Sequence, residues 1–156
     1  MRLWHYILIP VLPRQQLLGQ WRECCLIAKN IREKGTPNHI LVNPIMDYPI
    51  NEFLAYWLMV GNEIEKRGYR IDEKKLVQYR VDGMSIAEAY SYYISEDNLV
   101  QSRFPLFPRW HTEKYLTQCL ANLEEKHDRG GITNEEWNRI LRYLSTLKRN
   151  ERRRAI

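Results

Sequence analysis

From Arg14 to Lys34 the chain runs without a proline while its apolar residues recur at helical spacing. Leu17, Trp21, Cys24, Cys25, Ala28 and Ile31 fall on one arc, and Gly35 follows as a stop. Pro13, just ahead, suits the first turn of a helix, where its missing N–H costs nothing. The stretch INEFLAYWLMVGNEIEKRGY repeats the pattern. Phe53, Leu54, Trp57, Leu58 and Ile64 mark its core side, and Lys66-Arg67 gives a basic last turn before Gly68. Two more helices are expected near residues 112–128 and 133–148, the second opened by Thr133 with Glu136 completing a capping box. Residues 72–95 read as shorter helical pieces, Leu3 to Leu12 as an extended apolar arm, and the segment after Gly35 as a loop broken by Pro37, Pro44 and Pro49. No strand-like alternation competes with these patterns. The expected fold is all-α: a single compact multi-helix domain over residues 1–148 with an extended N-terminal arm, then a basic, frayed tail over 149–156.

A length of 156 residues suits one domain and is short for two. A formal charge of +5 favours a polyanionic partner. Ten Tyr and five Trp against three Phe suit half-buried surfaces or base stacking, and a Tyr-rich core would use the same residues. The three cysteines, Cys24, Cys25 and Cys119, make no disulfide framework, which points to a reducing, cytoplasmic setting. Adjacent cysteines on a helix diverge by about 100°, and no CxxC or HxxxH spacing occurs, so no metal site is expected. The opening MRLWHYILIPVLP is interrupted by Pro10 and Pro13 and lacks a small-residue cleavage site. It is therefore not read as a signal peptide, and no segment reaches the length of a membrane span.

The face of the first helix opposite its apolar arc carries Gln15, Gly19, Arg22 and Leu26 at one-turn spacings, with Gln16 and Glu23 beside them. Glycine inside a helix costs about 1 kcal/mol relative to alanine. Gly19, four residues before Glu23, therefore suggests that something approaches the backbone closely there. On pattern alone, the reading of Arg22 and Glu23 as ordinary solvated charges is the favoured one. His5 and His39 read evenly as site residues or as hydrogen-bonded loop histidines. Phe104, Phe107 and Trp110, in a segment that also carries Arg103 and Arg109, read as a base-stacking wedge or as a proline-braced cap on the core. Arg149, Arg152, Arg153 and Arg154 read as unspecific phosphate attraction.

MRLW at the start, RQQLLGQWRECC on the first helix, His39 in the following loop and EIEKRGYRI at the end of the second together resemble the pyrimidine-dimer DNA glycosylase/AP lyase family over roughly residues 1–75. FPRWHTEKYLTQCLANL is similar to the later part of a bacterial branch of that family. The resemblance implies an all-α monomer that needs no cofactor and acts on double-stranded DNA containing a damaged base. It further implies that the free α-amine of the chain attacks C1′ of the damaged nucleotide with the help of a glutamate. Here those groups would be Met1 and Glu23, with Arg2 and Arg22 holding the DNA and Gln15, Gln16, Lys29 and His39 beside them. An α-amine with a reference pKa of about 7.7–8.0 keeps a useful neutral fraction near pH 7, and Arg2 and Arg22 would push that value lower. Two departures stand out. The family exposes a Thr after loss of its initiator Met, whereas Arg2 should protect Met1 from removal and leave Met1 itself at the nucleophile position. Leu26 stands where the family carries an Arg one turn after the Glu, with Lys29 on the neighbouring face. Two alternatives stay open: the same chemistry on another modified base, or a non-catalytic helix-turn-helix formed by the last two helices around Gly130-Gly131.

Overall fold

The computed structural model describes residues 1–72, 74, 80–81, 84–85 and 106–155. A 3-10 turn at Tyr6–Val11 precedes helix α1, Arg14–Lys34, and a second 3-10 turn at Asn43–Asp47 leads into α2, Ile50–Lys66. Two short strands follow, β1 (Arg80–Val81) and β2 (Met84–Ser85), then helices α3, Glu113–Asp128, and α4, Asn134–Arg154. The all-α expectation holds, with the chain's local chemistry deciding the helix ends. Gly35 takes φ +73°, where its amide bonds the Ile31 carbonyl and closes α1. Thr133 accepts from the Glu136 amide while Glu136 reaches back to the Thr133 amide, which is the reciprocal cap expected for α4.

Helices α1 and α2 pack antiparallel. Arg14 lies over the Tyr69 ring at one end, and Trp21 meets Trp57, with ring centroids 5.6 Å apart, further along. The N-terminal arm lies against the same pair, with Arg2 beside Glu23, Trp4 beside Gln20 and Tyr56, and Leu12 beside Arg67. Leu3, Leu8, Ile9 and Leu12 are buried with α1 residues Leu17, Cys24 and Ile27 and α2 residues Phe53, Tyr56 and Trp57 in one core. The arm is thus an inner layer of the domain, covered from the far side by α3 and α4.

Three expectations are corrected. The arm is not extended throughout: residues 6–11 wind into a 3-10 turn, because the Leu8 amide bonds the His5 carbonyl and the His5 ring caps the Ile7 amide. Within the region expected to hold short helical pieces, β1 and β2 pair antiparallel with Arg80 opposite Ser85 and Val81 opposite Met84; the rest of that expectation lies largely outside the described residues, as do Arg103 and Phe104. The last helix does not stop near residue 148, since α4 continues through the basic segment to Arg154.

Where α1 and α2 cross, a Cβ on Gly61 would sit 2.9 Å from Cζ3 of Trp21, so the glycine is what lets the indole lie against the α2 backbone. Helix propensity alone would make Gly61→Ala stabilising by about 1 kcal/mol. Displacing a buried ring on a rigid helix costs about 1–3 kcal/mol, so the crowding should win. Gly61→Ala is expected to lower the midpoint of urea or thermal unfolding; a raised midpoint would show that Trp21 can move aside without loss.

Candidate active site

The arm carries backbone groups buried away from water, and each must find a partner or cost free energy. Side chains from the helices supply those partners. Gln20, at an arc position of α1 and almost fully buried, accepts from the Trp4 amide at 2.8 Å and donates to the Arg2 carbonyl at 3.0 Å. The Tyr56 hydroxyl on α2 donates to the Trp4 carbonyl at 2.6 Å and also meets the Gln20 side-chain oxygen at 3.1 Å. Tyr115 on α3 donates to the Leu3 carbonyl at 2.6 Å. At the arm's other end Arg67 bonds the carbonyls of Leu12 at 2.7 Å and Pro10 at 3.1 Å while paired with Glu63 at 2.7 Å.

Within this frame Glu23 receives the start of the chain. Its Oε2 accepts from the Arg2 amide at 3.0 Å, with the Gln20 side-chain nitrogen at 3.4 Å. Covalent geometry then keeps the Met1 α-nitrogen within roughly 7 Å of that carboxylate oxygen. Met1 and Glu23 are both half-buried, so the pair is fixed by the fold and still reachable from outside. The arrangement holds the Met1 backbone nitrogen near a carboxylate at the protein surface.

The other sequence-derived residues divide by position. Arg22 is exposed, with its guanidinium lying back over Gly19: a Cβ on Gly19 would meet nothing nearer than Arg22 Nη2 at 3.9 Å. Among the described residues, nothing therefore fills the space over Gly19. Gln15 and Lys29 are exposed and Gln16 is half-buried. Gln16 Oε1 is nonetheless shut off from solvent and, among the described residues, finds no hydrogen-bond partner. Arg2 points less freely than a phosphate-holding residue would. Its guanidinium lies 5.8 Å from the centroid of the Trp4 ring, and it acts on Tyr115 and Cys119, offsetting part of the rise that burial imposes on their pKa values. His39 stabilises a turn, its Nδ1 accepting from the Leu41 amide at 3.2 Å. Leu26 is 45% exposed on α1, and the described part of the aromatic segment packs inward, with Leu106 and Phe107 buried.

Sequence reasoning missed Gln20, Tyr56, Tyr115 and His111. One signal could have exposed Gln20, which stands three residues after Leu17 on the apolar arc, where a polar side chain is out of place unless it has a buried task. His5 and His111 form a coupled pair under the arm. His5 Nδ1 accepts from the Ile7 amide, so its Nε2 carries the proton donated to the His111 carbonyl at 2.8 Å. His111 Nδ1 accepts from the Tyr6 amide at 3.1 Å. Both rings are thereby used as neutral acceptors. Burial lowers the pKa of His5 from 6.5 to about 4, and burial together with the neighbouring His5 lowers that of His111 well below its usual value.

Residues 1–77 match the model of a family described as pyrimidine dimer DNA glycosylase. The match takes in the arm, α1 and α2, and so includes Arg2, Gln20, Glu23 and Tyr56. No curated protein and no solved structure matches the chain.

The histidine pair sets a pH limit on the site. Because their folded pKa values are depressed, the unfolded chain takes up protons below about pH 6.5 that the folded one refuses, so stability present above that pH is lost as the pH falls toward 4. Unfolding free energies measured in urea should decline over that window. His5→Asn, which keeps an acceptor for the Ile7 amide and does not titrate there, should flatten the decline; an unchanged pH profile would place the acid sensitivity elsewhere.

Proposed function

We propose, from the match of residues 1–77 to the pyrimidine dimer DNA glycosylase family, that the protein is a DNA repair glycosylase with associated AP lyase activity, acting through an imine formed by the Met1 α-amine. The observation that carries the reading is the hydrogen bond from the Arg2 amide to Glu23, which holds the first residue of the chain against that carboxylate. The substrate is a pyrimidine dimer or a related damaged base in double-stranded DNA, extruded or kinked out of the stack at a cost of a few kcal/mol that damage reduces.

In this mechanism the neutral Met1 amine forms a bond to C1′ as the bond from C1′ to the damaged base breaks. The base departs with the bonding electrons and takes up a proton. The transition state has oxocarbenium character, and Glu23, whose oxygen faces the arm, supplies the negative charge that stabilises it. Opening of the sugar ring with loss of an amine proton gives the imine. Removal of a proton from C2′ then expels the 3′ phosphate, and Glu23 is placed to carry that proton. Arg22 beside Gly19 is exposed and available to hold a phosphate near the lesion.

Borohydride reduction during turnover tests the imine directly. Wild-type protein should become covalently linked to damaged duplex, with peptide mapping placing the adduct on the Met1 nitrogen; an adduct on a lysine such as Lys29 would overturn the assignment. Glu23→Gln keeps an acceptor for the Arg2 amide, so it should fold with a normal melting temperature while excision falls by about 10²–10³-fold.

Gly19→Ala separates site from scaffold in a different way. With open space over Gly19, the protein should be as stable as wild type or more stable by up to about 1 kcal/mol. If the DNA backbone approaches α1 there, excision should nonetheless drop at least several-fold through a raised KM. Unimpaired excision by the stabilised variant would show that Gly19 does not face the substrate.

A further inference from the structure

Helix α4 carries a charge pattern that the proposed mechanism does not use. Arg139, Arg142, Arg149 and Arg153, with Thr146 between them, recur so as to lie within about 80° of one another around the helix. Glu135, one turn earlier, ends the stripe at the amino end of the helix. Ile140, buried, and Trp137, Tyr143 and Leu144, packed against the core, set the inner side of α4, and the stripe is exposed. Beside the end of the arm, Arg139 and Arg142 share a cleft of about 550 Å³ with Lys66 and Arg67 of α2. Among the described residues that line it, the one carboxylate is Glu63, already held by Arg67 at 2.7 Å. Arg67 spends its other N–H groups on arm carbonyls, and Arg139 gives one to Pro10 at 3.0 Å. Among the described residues, none of Lys66, Arg142, Arg149 and Arg153 forms an ion pair with a carboxylate. Like charges one helical turn apart repel, so the pattern is unfavourable until an anion neutralises it.

We infer that this cleft and the stripe running from it are a second DNA-binding surface, which grips the phosphodiester backbone of the duplex whose damaged nucleotide lies at Glu23. The inference rests on the glycosylase reading and extends it to a part of the chain beyond the family match at residues 1–77. The occupant follows from the chemistry of the stripe. A lipid surface would need an apolar face beside the cations, but the apolar side of α4 is committed to the core. A protein partner would be expected to anchor on exposed aromatic or aliphatic side chains, whereas the stripe offers guanidinium groups and one threonine. The dimensions suit a duplex. From Arg139 to Arg153 the helix rises about 21 Å, the length of roughly six base pairs. Cleft and catalytic pair sit at the two ends of the arm, and the eight residue steps from Arg2 to Pro10 reach no further than about 28 Å, less than one helical turn of DNA at about 34–36 Å.

The test replaces Arg142, Arg149 and Arg153 together, once by Gln and once by Lys, and measures binding of the full chain to duplex DNA as a function of salt. The Gln variant should bind at least about 10-fold more weakly at 50 mM salt, with a slope of log affinity against log salt shallower by about two to three. The Lys variant should retain most of the wild-type slope, because a phosphate contact needs charge more than fork geometry. Circular dichroism melting of all three proteins confirms that α4 remains folded. If wild type is trapped on damaged DNA by borohydride while the Gln variant keeps its affinity and slope, the second surface is refuted and the enzyme reading stands. If wild type neither traps nor binds duplex, both fall. A Gln variant that loses DNA affinity but not slope, or a Lys variant no better than the Gln one, overturns the electrostatic assignment.

Discussion

The peptide groups of the N-terminal arm cannot be left without partners, and the domain is arranged around meeting that demand. Residues 2–5 have neither a helix nor a sheet to satisfy their amides and carbonyls, yet Leu3, Trp4 and His5 are buried. Glu23 and Gln20 from α1, Tyr56 from α2 and Tyr115 from α3 bond to residues 2–4, His111 bonds to Tyr6, and Arg67 and Arg139 bond to the end of the 3-10 turn. Each unmet group would cost about 1–3 kcal/mol. The same bonds that stabilise the core also fix where the chain begins, so structure and candidate chemistry share one set of contacts.

That sharing gives Glu23 two tasks. One oxygen accepts the Arg2 amide and so positions the first residue; the carboxylate as a whole supplies the charge that the proposed reaction requires. Gln20 keeps the two from interfering, because it takes the neighbouring Arg2 carbonyl and Trp4 amide and leaves Glu23 with a single backbone task. A histidine pair held neutral beneath the arm adds no positive charge there near neutral pH, which leaves the field around Met1 to Glu23 and the nearby arginines.

The helices were legible because their signals are local. Pro13, Gly35, Thr133 and Glu136 mark ends through chemistry that operates within a turn or two, and the apolar arc of α1 is read from spacing alone. Glu23 was legible through resemblance and through its position off that arc. What could not be read was set by tertiary partners. Nothing local shows that Arg67, an apparently ordinary basic residue at a helix end, reaches back to Leu12, or that His111 receives the Tyr6 amide across 105 residues of sequence. The winding of the arm depends on those partners, so the extended reading failed there. The β1–β2 pair, by contrast, was legible: Asp82-Gly83, the dipeptide between its strands, is a strong hairpin signal, and Val77, Tyr79, Val81, Met84 and Ile86 alternate with Gln78, Arg80 and Ser85 about it, a pattern at odds with helical pieces there.

The separation in sequence of these contacts has a kinetic meaning. The arm is made before its partners, and the groups that satisfy it follow up to 129 residues later, the last of them in α3 and α4. Contacts of such long range form late, after the chain entropy of closing the intervening segments has been overcome. Until then part of the polar backbone of residues 2–12 has water as its partner, and the first residues are held only by their bonds to α1 and α2. A chain stopped before His111 would contain both residues of the candidate catalytic pair and still lack the His111 and Tyr115 bonds that close over the arm, so the first residue acquires its full set of restraints only once those later segments are in place.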